Sequence, residues 1–177
     1  MMKKFFWVLL ILIASCAHGV ENQEPVYTFS VTIPEGWKKL DTDKFLIITK
    51  DVAYNQYALV QERPLDRPFK HTNKQLRHGM LPQEAAGIIV DEISSDINLS
   101  NFQLIANNPA SIVGHRGFQI LFSYKDQYGV EFKTLYYGFI KGEIFYNLRY
   151  TAKKADYFVK ELATFQKFKD SFRLTSM

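Results

Sequence analysis

From Gly117 onwards the chain carries three segments of alternating apolar residues joined by two tight turn signals, and this pattern restricts the fold more than any other feature. Gly117 to Lys125 places Phe118, Ile120, Phe122 and Tyr124 on one face. Asp126-Gln127-Tyr128-Gly129 follows as a hairpin loop, with glycine where a left-handed residue is needed. Val130 to Ile140 is the longest predicted strand, Lys141-Gly142 makes the next turn, and Glu143 to Thr151 is a strand with Ile144, Tyr146, Leu148 and Tyr150 inward. Strands joined by connections this short pair antiparallel, so an antiparallel meander is expected. In the long strand Leu135, Tyr137 and Phe139 lie opposite Phe132, Thr134 and Tyr136, and in the next Phe145 opposes Ile144 and Tyr146. Both faces are therefore rich in apolar and aromatic side chains. The expectation is a sheet covered by helices on both sides; the alternative is a ligand groove or protein contact on one uncovered face.

The rest of the chain supplies elements for that sheet. Aromatics make up 15% of the residues, which favours strands, and 47% hydrophobic with 23% charged residues excludes a disordered or collagen-like chain. Val26 to Ile33 alternates, with Tyr27, Phe29, Val31 and Ile33 on one face, and ends in the turn Pro34-Glu35-Gly36 before Trp37. Phe45 to Thr49 and Tyr57 to Gln61 read as two further strands, and Arg63 to Met80 as a long polar loop or short helical turns. Pro82 suits the start of a helix, and Leu81, Ala85, Ile89, Ile93 and Ile97 repeat every four residues as one apolar face. Phe102 to Ile105 reads as a short strand ending at Asn107-Asn108-Pro109. Phe158, Leu162, Phe165, Phe168 and Phe172 form a helical stripe expected to lie on the sheet. Together these give an α+β fold: an antiparallel sheet of about six or seven strands with helices packed on its faces, in a single domain over residues 26–175.

The front of the chain reads as an address. Lys3 and Lys4 precede an unbroken apolar run from Phe5 to Ala14, followed by small residues, the layout of a secretory signal. Ten residues of helix reach about 15 Å, half of a hydrocarbon core of ~30 Å, so the run is too short for a permanent span. Leu12-Ile13-Ala14-Ser15-Cys16 resembles the lipobox of bacterial lipoproteins and contains the only cysteine of the chain. The resemblance implies cleavage after Ser15 and a diacylglycerol thioether on Cys16; the alternative is an ordinary secretory signal that happens to contain a cysteine. Acylation would also remove a thiol that is a liability in an oxidising compartment. Residues 1–15 are thus expected to be a lipoprotein signal peptide and 16–25 a lipidated tether. Ala17, in place of the aspartate that commonly signals inner-membrane retention in lipoproteins, points to the periplasmic face of the outer membrane. Lys3 and Lys4 would leave with the leader, which lowers the formal excess of +4 and makes a nucleic-acid partner unexpected.

The order of elements resembles the PsbP-like fold, shared by photosystem-associated PsbP proteins, bacterial DcrB-type lipoproteins and Mog-type Ran-binding proteins. The matching features are Phe29-Ser30-Val31-Thr32-Ile33-Pro34-Glu35-Gly36-Trp37, the aromatic meander from Gly117 to Thr151, and the closing Phe168-Lys169-Asp170-Ser171-Phe172. The resemblance implies a binding or assembly module rather than an enzyme. It carries over no catalytic residue.

Motifs for catalysis are missing. There is no G-x-S-x-G elbow, no H-E-x-x-H, no phosphate loop and no dinucleotide fingerprint, so no catalytic residue and no cofactor are expected. A metal site would require two of His18, His71, His78 and His115 to meet with a carboxylate such as Asp91 or Glu92; solvated histidines are expected instead. Asp91 and Glu92 are adjacent on a helix and so diverge. The one charge feature is the loop carrying Arg63, Arg67, Lys70, Lys74 and Arg77, with no acid from Arg67 to Gln83. It could engage an anionic partner, either lipid headgroups or an acidic protein face, or be simply solvated. The expected function is a lipid-anchored, non-enzymatic binding or assembly module of the bacterial cell envelope, held on the membrane through Cys16. The alternatives are a carrier of a small apolar or amphipathic ligand and an enzyme with a dispersed site.

Overall fold

The computed structural model describes residues 27–40, 42, 45–51, 53–154 and 157–175. Among them the elements run β1 (Phe29–Ser30), β2 (Lys38–Leu40), β3 (Leu46–Thr49), β4 (Gln56–Pro64), α1 (Pro82–Ser94), β5 (Ser100–Ile112), β6 (His115–Lys125), β7 (Glu131–Lys141), β8 (Ile144–Lys153), α2 (Leu162–Asp170) and β9 (Arg173–Leu174). Among the described residues seven strands form one sheet in the order β2-β3-β4-β8-β7-β6-β5, and β1 pairs with β9 in a separate two-stranded ribbon. Every pairing is antiparallel. The expected α+β architecture is the one observed.

The meander forms as the sequence predicts, with Gly117 opposite Phe139 across β6–β7 and Phe139 opposite Tyr146 across β7–β8. Helices cover both faces. On one, Phe165, Phe168 and Phe172 in and beyond α2 pack with Tyr137, Phe139, Tyr146, Leu148 and Tyr150, and Phe29 and Trp37 join them. The Tyr150 ring lies 5.4 Å from Phe158 and 5.5 Å from Phe165. On the other face Ala85, Ala86 and Ile89 of α1 pack with Phe118, Ile120, Phe122, Tyr136 and Phe145, and Leu65 and Leu76 of the loop between β4 and α1 close the same cluster. Gly138 lets this cluster form, because a Cβ there would stand 2.5 Å from the Phe118 ring and 2.8 Å from the Phe145 ring.

Four expectations are corrected. The first strand is not Val26 to Ile33: only Phe29–Ser30 are laddered, because their partner is the two-residue β9 at the far end of the chain and not the main sheet. Phe29 is buried as expected, whereas Ile33 is exposed. The short strand at Phe102 to Ile105 is the thirteen-residue β5, which runs through Pro109. Proline is tolerated because β5 is the sheet's edge, where one side of the backbone has no strand to pair with. The α1 stripe keeps Ala85 and Ile89 in the core, but Leu81 is the exposed N-cap and Ile97 is 93% exposed. The helix stops at Ser94 because Asp96 turns the chain, accepting hydrogen bonds from the Asn98 backbone and side chain at 3.0 and 2.8 Å. The final stripe is buried through Phe158, Phe165, Phe168 and Phe172, yet only Leu162–Asp170 are helical.

Candidate functional site

The central strand β8 carries two sets of side chains. Ile144, Tyr146, Leu148 and Tyr150 join the α2 face, while Phe145, Asn147, Arg149 and Thr151 face the α1 side. Helix α1 lies over β5 and β6, so the polar members of the second set are left beside it. Two of them, Arg149 and Thr151, line a cleft of about 220 Å³ against the end of α1 and the loop at His71. Its floor is a row of hydroxyls placed by strand register: Tyr57 stands opposite Thr151, and Thr151 opposite Thr134. The Thr134 and Thr151 hydroxyls are 2.9 Å apart and buried. Tyr124 lies beside Tyr57 and Thr134; burial and the Tyr57 neighbour push its phenol up, against the opposing pull of Arg149. Burial likewise raises the Tyr136 phenol, opposed by Arg149 and Arg63.

Arg149 is the charge of this floor. Its Nε is enclosed without a hydrogen-bond partner, and the guanidinium forms no ion pair among the described residues. The acids on the rim differ. Glu92 accepts the His71 backbone N–H at 3.0 and 3.1 Å, the Thr72 backbone N–H at 2.9 Å and the Thr72 hydroxyl at 3.0 Å. Partial burial would raise its pKa, but these donors outweigh it and hold the carboxyl below its ordinary value. Asp96 is lowered in the same way, burial being outweighed by the Asn98 donors and by the charges of His71 and Lys70. His71 Nε2 lies 3.7 Å from its carboxylate. Ile93, Leu99 and Phe122 supply an apolar wall.

The basic loop is less uniform than its sequence. Arg63 turns inward: its guanidinium sits 4.3 Å from the Phe69 ring centre and donates to the carbonyls of Arg67 and Pro68. Desolvation and the nearby Arg67 lower its pKa. Lys74 is paired with Asp91 on α1. Arg67, Lys70 and Arg77 are exposed and form no ion pair among the described residues. Buried Leu65 and Leu76 pin the loop, with a Gln75 side-chain bond to the Asp66 carbonyl at 2.7 Å and Phe69 N–H donating to Lys74 at 2.8 Å.

Asp91 and Glu92 diverge as expected, one to Lys74 and one to the His71–Thr72 backbone. His78 lines a separate cleft with Met80, Pro82 and Arg116, and His115 stacks on Phe139 at 5.2 Å. Among the described residues no group of three or more His, Cys, Asp or Glu could hold a metal ion. The signal peptide, the tether and Cys16 lie outside the described residues.

No protein-family model matches the sequence, and no curated protein matches it significantly. Solved structures do. Cyanobacterial PsbP (CyanoP) from Synechocystis superposes with a TM-score of 0.59 at 12% identity, over 83% of this chain and 86% of that one. LpqN of Mycobacterium tuberculosis, described as involved in cell envelope biogenesis, gives 0.57 at 15% identity over 88% of both chains. The fold is that of PsbP and Mog1. For the second of these, the Ran-binding protein Mog1p of Saccharomyces cerevisiae, the TM-score is 0.55 at 7% identity over 84% of this chain and 91% of that one. At these identities the likeness is one of architecture.

Arg149, Tyr57, Tyr124 and Thr151 were not singled out by motif, because no motif joins them. A signal exists all the same. Asn147, Arg149 and Thr151 interrupt what would otherwise be the second apolar face of a two-sided strand, and a charge in the middle of a covered sheet is unusual.

Proposed function

We propose that the protein is a lipid-anchored, non-enzymatic binding or assembly module of the bacterial cell envelope. The observation that carries this reading is the pinned loop from which Arg67, Lys70 and Arg77 project without an ion pair among the described residues. A loop held by buried leucines presents its charges in fixed positions, so it loses little conformational entropy when an anionic surface docks. The lipobox-like Leu12-Ile13-Ala14-Ser15-Cys16 supports attachment through acyl chains, which contribute about 0.8 kcal/mol per buried CH₂. Among the described residues no helix is long and apolar enough to cross a membrane, so attachment by them would have another basis. The fold likeness to an envelope-biogenesis protein and to a Ran-binding protein agrees with a role in binding. Ala17 supports placement on the periplasmic face of the outer membrane, and residues 26–175 act as one domain on a tether of residues 16–25.

Two variants test the reading. Cys16→Ser should abolish acylation and release the protein from membranes, read by mass spectrometry and fractionation. Joint reversal of Arg67, Lys70 and Arg77 to Glu should leave acylation intact but lose co-purifying partners or binding to anionic vesicles. Unmodified Cys16 in the native host, or unchanged association of the triple variant, overturns the corresponding half. A second reading, a carrier of a small amphipathic ligand, is favoured by the polar cleft around Arg149.

A further inference from the structure

We infer that the cleft on the α1 face is a binding site for a small monoanionic carboxylate with an apolar body, its carboxylate seated on Arg149. The inference rests on the unmatched hydrogen-bonding capacity of the cleft. A guanidinium carries five donors in a planar fork that suits a carboxylate. Here it lines a cavity of about 220 Å³, has an enclosed Nε with no acceptor, and forms no ion pair among the described residues. An enclosed charged donor without an acceptor is costly, and the N–H groups of the same half-buried guanidinium that face the cleft form no hydrogen bond among the described residues, so a ligand oxygen there gives the fork its first acceptor. The hydroxyls of Tyr57 and Thr134 lie on the same floor and can donate to a second oxygen.

The rim sets the ligand's charge. Glu92 already accepts from the His71 and Thr72 donors, and Asp96 accepts from Asn98 at Oδ1 with Oδ2 turned to His71 at 3.7 Å, so what they present to an incoming group is chiefly negative charge. One guanidinium balances one negative charge, and a dianion would be repelled by two carboxylates. The cleft therefore favours a carboxylate over a phosphate monoester. Ile93, Leu99 and Phe122 form the wall against which an apolar body packs. The size excludes a ligand that must bury paired long acyl chains, which separates this site from the membrane anchor.

The test is a titration of the full-length chain in mild detergent with benzoate and with hexanoate, each against its neutral amide. Calorimetry gives affinity, and amide chemical shifts at Tyr57, Ile93 and Leu99 give location. We expect saturable binding of at least one acid, with its amide and phenyl phosphate at least tenfold weaker. Arg149→Met should cost at least tenfold, and Arg149→Lys, which keeps the charge but not the fork, a smaller factor. The acid-to-amide ratio is read on the unmutated protein, so it decides the matter even if Arg149→Met fails to fold. Arg67→Glu with Arg77→Glu should leave this titration unchanged whether or not it alters membrane or partner association. Absence of saturable shifts in the cleft with both acids overturns the inference, as does equal binding of the amide or of phenyl phosphate, or wild-type affinity in Arg149→Met.

Discussion

The two faces of the sheet are built by the same strands and differ in kind. The α2 face is a continuous aromatic cluster in which Phe139, Tyr146 and Phe172 meet ring to ring at 5.2 to 6.2 Å. The α1 face begins in the same manner at Phe118, Tyr136 and Phe145, then turns polar at Tyr57, Thr134, Arg149 and Thr151. Helix position explains the contrast. On the α2 side the helix and the chain flanking it reach the centre of the sheet, whereas α1 stays over β5 and β6. The two faces thus divide the labour: one supplies stability and the other can hold polar groups at some expense in stability.

Opening the aromatic face should cost the most. Phe168 is 1% exposed among Tyr150, Phe165 and Phe172. Phe168→Ala removes a ring from a packed core and should cost about 3–5 kcal/mol, measured by denaturant unfolding. A loss below about 1 kcal/mol, the cost of an ordinary substitution, would mean that this face is loosely packed. Next is the apolar half of the α1 face. Gly138→Ala drives a Cβ to within 2.5 Å of Phe118 and 2.8 Å of Phe145, both buried. Neither ring can withdraw without displacing the other, so the variant should lose about 1–3 kcal/mol.

The third prediction has the opposite sign. Arg149→Met keeps an unbranched apolar stem and removes a half-buried charge that forms no ion pair among the described residues. It should leave stability unchanged or raise it by about 0.5–2 kcal/mol, seen as an equal or higher unfolding midpoint. A drop comparable to that of Phe168→Ala would show that Arg149 holds the fold together and that the two faces do not divide their roles.

This contrast also explains what the sequence disclosed. The meander was legible because turn chemistry and alternation are local: Asp126 to Gly129 closes one hairpin and Gly142 the next. The aromatic face was legible because Phe165 and Phe168 repeat at helical spacing and Ile144 to Tyr150 at strand spacing. The full length of β5 was not, since Pro109 reads as a break until the strand is known to be an edge. The β1–β9 ribbon was not, because Phe29 finds Leu174 only after the whole domain has closed. The cleft was hidden for a related reason. Tyr57, Tyr124, Thr134 and Arg149 come from four strands, and only the register of the finished sheet lines them up. In the basic loop, charge alone does not tell which cations project, since Arg63 serves the loop's own carbonyls and Lys74 serves Asp91.

The smallest expected effect compares one carboxylate from each side. Glu161 is buried before α2, where burial tends to raise its pKa but hydrogen bonds from Lys50 and Thr164 outweigh it and hold it low. Glu92, on α1, is held low against the pull of burial by the backbone donors of His71 and Thr72 in the loop beside it. A carboxyl whose folded pKa is depressed binds its proton more readily in the unfolded chain. Its contribution to stability is therefore complete above the unfolded value of about 4.3 and is lost as pH falls through the folded value. Stability of the wild type should decline on acidification below that point, and Glu161→Gln and Glu92→Gln should each flatten the decline. The two differ in reach. Glu161→Gln should lower the global unfolding midpoint at neutral pH, with the gap to wild type closing in acid. Glu92→Gln should instead speed hydrogen exchange at His71 and Thr72, whose N–H groups it accepts, while the global midpoint moves less. If Glu92→Gln lowered the midpoint as far as Glu161→Gln, the loop beside the cleft would belong to the same cooperative unit as the aromatic face, and the contrast between the two sides would be one of chemistry without a difference in stability.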